Sequence, residues 1–237
     1  EVEDELRRLR VFDLHCDTVD VLGMHDWEPY RSWPAIARHG DLAKSDGEVD
    51  LERAQGLAYA QGFSVWVPDR KWVTDPLGFY TAAVAYFRQQ MRQHADRVEQ
   101  VTDARRIPDV LRAGKVAAVL TVESCSALEG SLDVVDTMRE DGVRMAGLTW
   151  NGDNALGGGR STRNGLTELG KRAVARLEDA GIAVDAAHLS AESFDDLARC
   201  RRRPFLISHC ASRAVCDVDR NVTDDQFKAA LDSGGVV

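Results

Sequence analysis

The stretch Val116-Ala-Ala-Val-Leu-Thr-Val-Glu123 decides the fold. Seven apolar or β-branched residues follow one another with no charged break. A strand with one wet face would alternate. A continuous run marks a strand buried on both faces, and such strands belong to parallel sheets covered by helices. Outward from it the pattern repeats. Residues 11–16, 58–67, 143–150, 182–187 and 204–208 read as further strands, and Gly234-Gly-Val-Val237 begins a seventh. Helical stretches lie between them. Phe79, Ala83, Tyr86, Phe87 and Met91 recur at helical spacing within 75–100. A second helix over 131–141 stops at Gly142, and a third runs from a Thr167 cap to a Gly181 stop. Two more span 191–200 and 224–233, and Asp50 to Gly56 reads as a short one. Strands alternating with helices imply a parallel sheet with right-handed crossovers. The expected fold is α/β, a (β/α)8 TIM-like barrel that breaks off within strand seven, because closure takes eight strands and about 250 residues. A doubly wound open sheet is the alternative. Residues 1–237 then form a single barrel domain with its C-terminal part missing.

Composition excludes several classes of function. The 237 residues carry 39 acidic against 30 basic side chains, a net charge of -9. That leaves no basic surplus to neutralise nucleic-acid phosphates or an anionic membrane. No apolar run reaches 18 residues, so no membrane span is expected. Residues 1–10 are a charged lead-in without the features of a signal peptide. Five cysteines, an odd number without CxxC spacing, do not form a disulfide framework. They suit a reducing, cytoplasmic setting. Residues 24–50, broken by prolines and glycines, are long enough for a functional loop.

Ligand-type side chains gather where the strands end. His15 and Asp17 stand at i, i+2 at the end of the first strand, a spacing that puts both on one face. Alternation turns Cys16 away from them. Glu123 ends the third strand, His188 the fifth and His209 the sixth. In a parallel barrel those ends share one rim, where catalytic residues collect. Imidazole nitrogens and carboxylate oxygens are ligands for zinc and similar ions. Each residue alone has a plainer role: Asp17 a helix cap, Glu123 an ion pair, His188 or His209 a hydrogen-bonded core histidine. Five together at four strand ends point to a metal-dependent hydrolase. Glu123, the one carboxylate at its strand end, suits the bridge between two ions. His25, His39 and His94 lie elsewhere, with His94 expected in solvent. Gly157-Gly-Gly159 lacks the spacing of a phosphate loop.

Several blocks then resemble one family, the zinc dipeptidases typified by membrane (renal) dipeptidase. They are Asp13-Leu-His-Cys-Asp-Thr18, Val122-Glu-Ser124, Gly165-Leu-Thr-Glu168, Val184-Asp-Ala-Ala-His-Leu-Ser190, Ile207-Ser-His209 and Arg220-Asn-Val-Thr-Asp-Asp225. The resemblance implies a metallo-dependent hydrolase with two zinc ions. The residues matching His15 and Asp17 hold one, those matching His188 and His209 hold the other, and Glu123 is shared. It implies a hydroxide bridging the ions that attacks the peptide bond of a dipeptide. The Arg of Arg-Asn-Val, here Arg220, takes the substrate carboxylate, a role its planar fork suits. Family members often pair, so a homodimer is implied too. Trp150 stands where renal-type members carry a His, which opens a second reading: another binuclear amidohydrolase acting on a cyclic amide, lactone or phosphoester. An inactive metal-binding fragment is a third.

Overall fold

The structure, a computed structural model, describes residues 9–237; most of the charged lead-in, residues 1–8, lies outside the described residues. The chain gathers into two compact units. One holds the residues up to Trp66 together with Gly78–Thr121; the other holds Val67–Leu77 and Val122–Val237.

In the first unit, β1 (Arg10–Cys16) pairs parallel with β2 (Ala58–Trp66). The register runs evenly from Arg10 opposite Ala58 to Asp13 opposite Gln61. It then jumps to Cys16 opposite Phe63. Three steps along β1 therefore match two along β2, a bulge that takes in His15. The even alternation expected of this strand does not hold there. A short β3 (Val98–Gln100) pairs parallel with β4 (Val116–Glu123), whose residues up to Thr121 belong to this unit. All eight residues of β4 are buried, as its unbroken apolar run demands. Its helices are α1 (Thr18–Gly23), α2 (Pro76–Gln93) and α3 (Ile107–Arg112). The buried face of α2 carries Phe79, Ala83 and Phe87, at i, i+4 and i+8. Phe87 packs on Phe63 of β2 at 6.2 Å between ring centroids. Burial of each such ring stabilises the unit by about 1.5–3 kcal/mol.

Three further expectations fail in this unit. The helix expected over 75–100 ends at Gln93, because a turn closed by Arg97 N–H on His94 O leads Val98 into β3. His94 is not in solvent: its side chain is 12% exposed and its Nε2 lies 3.3 Å from Asp41 Oδ2. Residues 51–56 form turns rather than a helix. The buried Asp50 carboxylate accepts from both Arg53 N–H (2.8 Å) and Ser45 N–H (3.1 Å), which ties the loop back on itself.

In the second unit, β5 (Val143–Gly147) and β6 (Ala183–Asp185) pair parallel, with Met145 opposite Ala183 and Gly147 opposite Asp185. Its helices are α4 (Val134–Asp141), α5 (Glu168–Asp179), α6 (Ala191–Cys200) and α7 (Asp224–Asp232). Their ends follow the sequence signals. Gly142 takes the left-handed conformation after α4, Thr167 caps α5, Ser190 caps α6, and Thr223 with Gln226 forms a capping box on α7. The strand expected over 204–208 shrinks to one parallel bridge, Asp185 to Leu206. Its last residue turns away from a ladder because Ser208 N–H donates to the Asp185 carboxylate instead. Residues 234–237 form no strand: Gly234 and Gly235 N–H close the end of α7 on Leu231 O and Ala230 O, and one bond, Ile207 N–H to Val236 O, reaches residues 204–208. Among the described residues no helix is long and apolar enough to cross a membrane.

Candidate metal centre

Each unit carries part of the expected ligand set. In the first, His15 leaves the bulged end of β1 and Asp17 takes the N-cap position of α1. The plainer role for Asp17 was capping, yet its side chain makes no cap hydrogen bond. Its Oδ1 lies instead 3.2 Å from His15 Nε2. The two side chains share a cavity of about 440 Å3 with Arg38 and Glu48. The irregular stretch after α1 supplies those last two residues, as a functional loop would.

In the second unit Glu123, His188 and His209 converge. His188 Nε2 lies 2.7 Å from Glu123 Oε1, and His209 Nε2 lies 3.7 Å from the same oxygen. The two Nε2 atoms are 3.0 Å apart. Glu123 and His188 are buried, and the His209 side chain is 29% exposed, so the cluster opens through His209. The backbone is bent to present them. Ser124 and His188 both hold positive φ, at 68° and 66°, which non-glycine residues adopt at a cost of order 1–3 kcal/mol. Thr149 Oγ1–H and Arg160 N–H donate to the carbonyl of His188 and hold that turn.

The outer partners fix which nitrogen carries the proton. His188 Nδ1–H donates to Asn151 Oδ1 at 3.2 Å. His209 Nδ1–H donates to Ser208 Oγ at 2.8 Å, and that hydroxyl donates in turn to Asp185. Asp185 also accepts from the backbone N–H groups of Ala187 and Ser208. With both protons on Nδ1, both Nε2 atoms present lone pairs to each other and to Glu123 Oε1. Three acceptors this close repel unless a proton or a metal ion lies among them. The donor set therefore fits a divalent ion, and the carboxylate-supported imidazole of His209 is the usual supporting arrangement. Sequence reasoning singled out Glu123, His188 and His209, which the structure brings together, and missed Asn151, Ser208 and Asp185. The signal for Asp185 was its place three residues before His188, at a strand end.

Trp150 and Arg220 flank this cluster. The Trp150 ring lies 6.2 Å from the His188 ring at a tilt of 34°. Arg220 Nη2 donates to His209 O at 2.8 Å. It makes no ion pair with Asp219 or Asp224; Asp219 pairs with Arg213. Burial pushes the Arg220 pKa down, and the Glu123 charge opposes that shift. Asp69 accepts from Gly152 N–H at 3.1 Å, and burial pushes its carboxyl pKa up. The glycine run is structural: a Cβ at Gly158 would sit 2.1 Å from Asn164 O, and one at Gly159 2.2 Å from Trp150 O. All five cysteines are free thiols.

A parallel α/β fold with imidazoles and carboxylates at its strand ends defines a class of metal-dependent hydrolases. Residues 1–237 match Membrane dipeptidase (Peptidase family M19), and the chain belongs to that family. Dipeptidase 3 of Rattus norvegicus is 27% identical over 201 residues, covering 81% of this chain and 40% of that protein. Two solved structures share the fold. The probable dipeptidase PvdM from Pseudomonas aeruginosa has a TM-score of 0.80 at 24% identity, over 98% of this chain and 60% of that one. A metallo peptidase from Rhodobacter sphaeroides, liganded with a phosphinate mimic of the dipeptide L-Ala-D-Ala, has a TM-score of 0.78 at 24% identity, over 96% and 73%. The architecture is thus α/β, of the TIM-like barrel kind. The chain spans 40% of the rat protein's length and 60% of the P. aeruginosa chain.

Proposed function

We propose that this chain is a metallo-dipeptidase domain, one barrel over residues 1–237, that hydrolyses the peptide bond of dipeptides with two divalent ions. The observation that carries the reading is the meeting of Glu123 Oε1, His188 Nε2 and His209 Nε2 within 3.7 Å of one another. These three hold one ion, and His15 and Asp17 serve the second. Glu123, with two carboxylate oxygens, is the residue able to serve both. The mixture of imidazole and carboxylate ligands suits zinc. Ions bound there supply Lewis acidity to the scissile carbonyl and lower the pKa of the attacking water. The chain's own residues do the rest. Asn151 and Ser208 engage the two Nδ1 atoms, which leaves Nε2 of each neutral ring as the atom that ligates. Arg220 takes the free C-terminal carboxylate of the substrate, which limits length to two residues. Trp150 forms an apolar wall beside His188 and cannot act as acid or base. The five free thiols fit a cytoplasmic setting.

Trp150 also supports a second reading, a binuclear amidohydrolase for a cyclic amide, lactone or phosphoester. One substrate panel separates them. The chain is loaded with zinc, its metal content measured, and release of amino acids from dipeptides compared with turnover of a lactone, a hydantoin and a phosphoester. The proposal expects dipeptide turnover and about two zinc ions, with His209→Ala losing zinc and turnover together. A folded, zinc-loaded chain that cleaves no dipeptide would overturn it.

A further inference from the structure

Asp69 and Arg70, neighbours of opposite charge in the second unit, both reach the loop that carries Asn151. Their segment starts on the cluster itself: Val67 N–H donates to Glu123 O at 2.9 Å. Trp72 and Val73 N–H donate to Asp69 O, which closes a turn and fixes the Asp69 backbone. Asp69 Oδ2 then accepts from Gly152 N–H at 3.1 Å. Arg70 pairs with Glu129, whose Oε1 accepts from Ala155 N–H at 3.4 Å. Adjacent side chains thus hold the loop at two points. A Cβ at Gly152 would sit 3.1 Å from Asp69 Oδ2, so the missing side chain lets the carboxylate close in. Asp69 is buried, and among the described residues Gly152 N–H is its one side-chain hydrogen-bond partner. Burying a carboxylate costs free energy that a single neutral N–H does not repay. Stability alone gives no reason for an acid at this position.

The next residue back from Gly152 is Asn151. Asn151 O accepts from Ser161 N–H at 2.9 Å and Gly152 O from Gly159 N–H at 3.1 Å, so the pair moves as one piece. Asn151 Oδ1 faces His188 Nδ1 at 3.2 Å. We propose that Asp69 is a positioning residue of the metal centre: by holding Gly152 it fixes Asn151, and through Asn151 the ring of His188. The inference rests on the metallo-dipeptidase reading for the ion that His188 holds, and on hydrogen bonds alone for the link from Asp69 to the ring. An acceptor at residue 69 is what the link requires; a displaced Gly152 would carry Asn151 Oδ1 off the imidazole.

Asp69→Leu keeps the outline of the side chain and removes the acceptor, whereas Asp69→Asn keeps both. Zinc affinity, read by competition with a chelator, should fall about tenfold in Asp69→Leu and return to the wild-type value in Asp69→Asn. In an Asn151→Ala background, Asp69→Leu should cost nothing further, because the link is already cut. A role in folding alone would lower the urea midpoint and leave zinc affinity unchanged, or would add to the effect of Asn151→Ala; either result overturns the proposal. A second readout needs no metal. In the metal-free chain, isotope-labelled at its histidines, the His188 Nδ1–H resonance is assigned by its absence in His188→Gln. It should be protected from solvent exchange in the wild type and in Asp69→Asn, and should exchange about tenfold faster in Asp69→Leu. Should the wild type bind no zinc, the metal reading falls while this resonance still decides the positioning role. No protected signal in the wild type, or equal exchange in all three proteins, sinks it. Asp69→Ala replaces Asp69→Leu if the latter does not fold, with the same outcomes expected.

Discussion

Asn151 shows how much of the proposed metal site lies outside its ligands. Its one side-chain oxygen accepts from both His188 Nδ1 and Arg160 Nε, and so fixes the ring and the proton of His188. Asn151→Ala removes that acceptor and lets the ring turn or change tautomer. Zinc affinity should fall by about 10–100-fold, read by competition with a chromogenic chelator, while the fold persists. Unchanged affinity would mean that the backbone around His188 alone sets the ring. Asp69 supports a pH prediction. Its folded-state pKa is raised by burial, so the folded chain binds the proton more tightly than the unfolded one. Stability carried by this group is therefore lost as pH climbs from the ordinary carboxyl range through the raised value. Asp69→Asn, which still offers Gly152 N–H an oxygen, should gain stability relative to the wild type as pH climbs above the ordinary carboxyl range. Urea denaturation of both proteins below and above that range checks the sign. At this scale the sequence was readable where chemistry forces residue type. His15, Glu123, His188 and His209 stand out because few side chains ligate metals. Asn151 and Ser208 do not, since an amide or hydroxyl serves in any loop and only the fold says which imidazole it meets.

Among the elements, β4 was the most legible and the stretch over 204–208 the least. An unbroken apolar run can be satisfied only by burial on both faces, and all eight residues of β4 are buried. At 204–208 the run is equally suggestive, yet the pairing is decided by the Asp185 carboxylate, which competes for the N–H of Ser208. Such competition depends on a side chain 23 residues away and leaves no local trace. The bulge in β1 is another long-range effect, visible only in the register against β2. That pairing leaves no room beside Gly62. A Cβ added there would sit 2.2 Å from Leu14 O and 2.6 Å from Leu14 C, both backbone atoms. A flexible side chain could move aside; a strand can do so only by giving up its ladder. Gly62→Ala should therefore destabilise the chain by about 1–3 kcal/mol, seen as an earlier urea midpoint at unchanged slope. A neutral effect would show that β1 shifts freely against β2, contrary to the parallel register seen up to Asp13.

At the scale of the whole molecule, ligand chemistry and folding are one equilibrium. Glu123, His188 and His209 are separated by 65 and 21 residues in the sequence, and the unfolded chain has no reason to bring them together. Holding three acceptors within 3.7 Å of one another costs the metal-free fold electrostatic repulsion, and a bound divalent ion reverses its sign. An ion that binds the folded chain and not the unfolded one stabilises it by about 2.7 kcal/mol when free metal stands at about 100 times its dissociation constant. For a chain of this length that corresponds to roughly 5–10 °C in melting temperature. Zinc addition should raise the melting temperature by that amount, and a chelator should return it. The gain should shrink on acidification, because the imidazoles must be neutral to bind. His188→Ala provides the control. It removes one of the repelling acceptors, so the metal-free variant should lose little from electrostatics, while its response to zinc largely disappears. A wild type whose melting temperature ignores both zinc and chelator would show that the cluster is held by a shared proton instead of a cation.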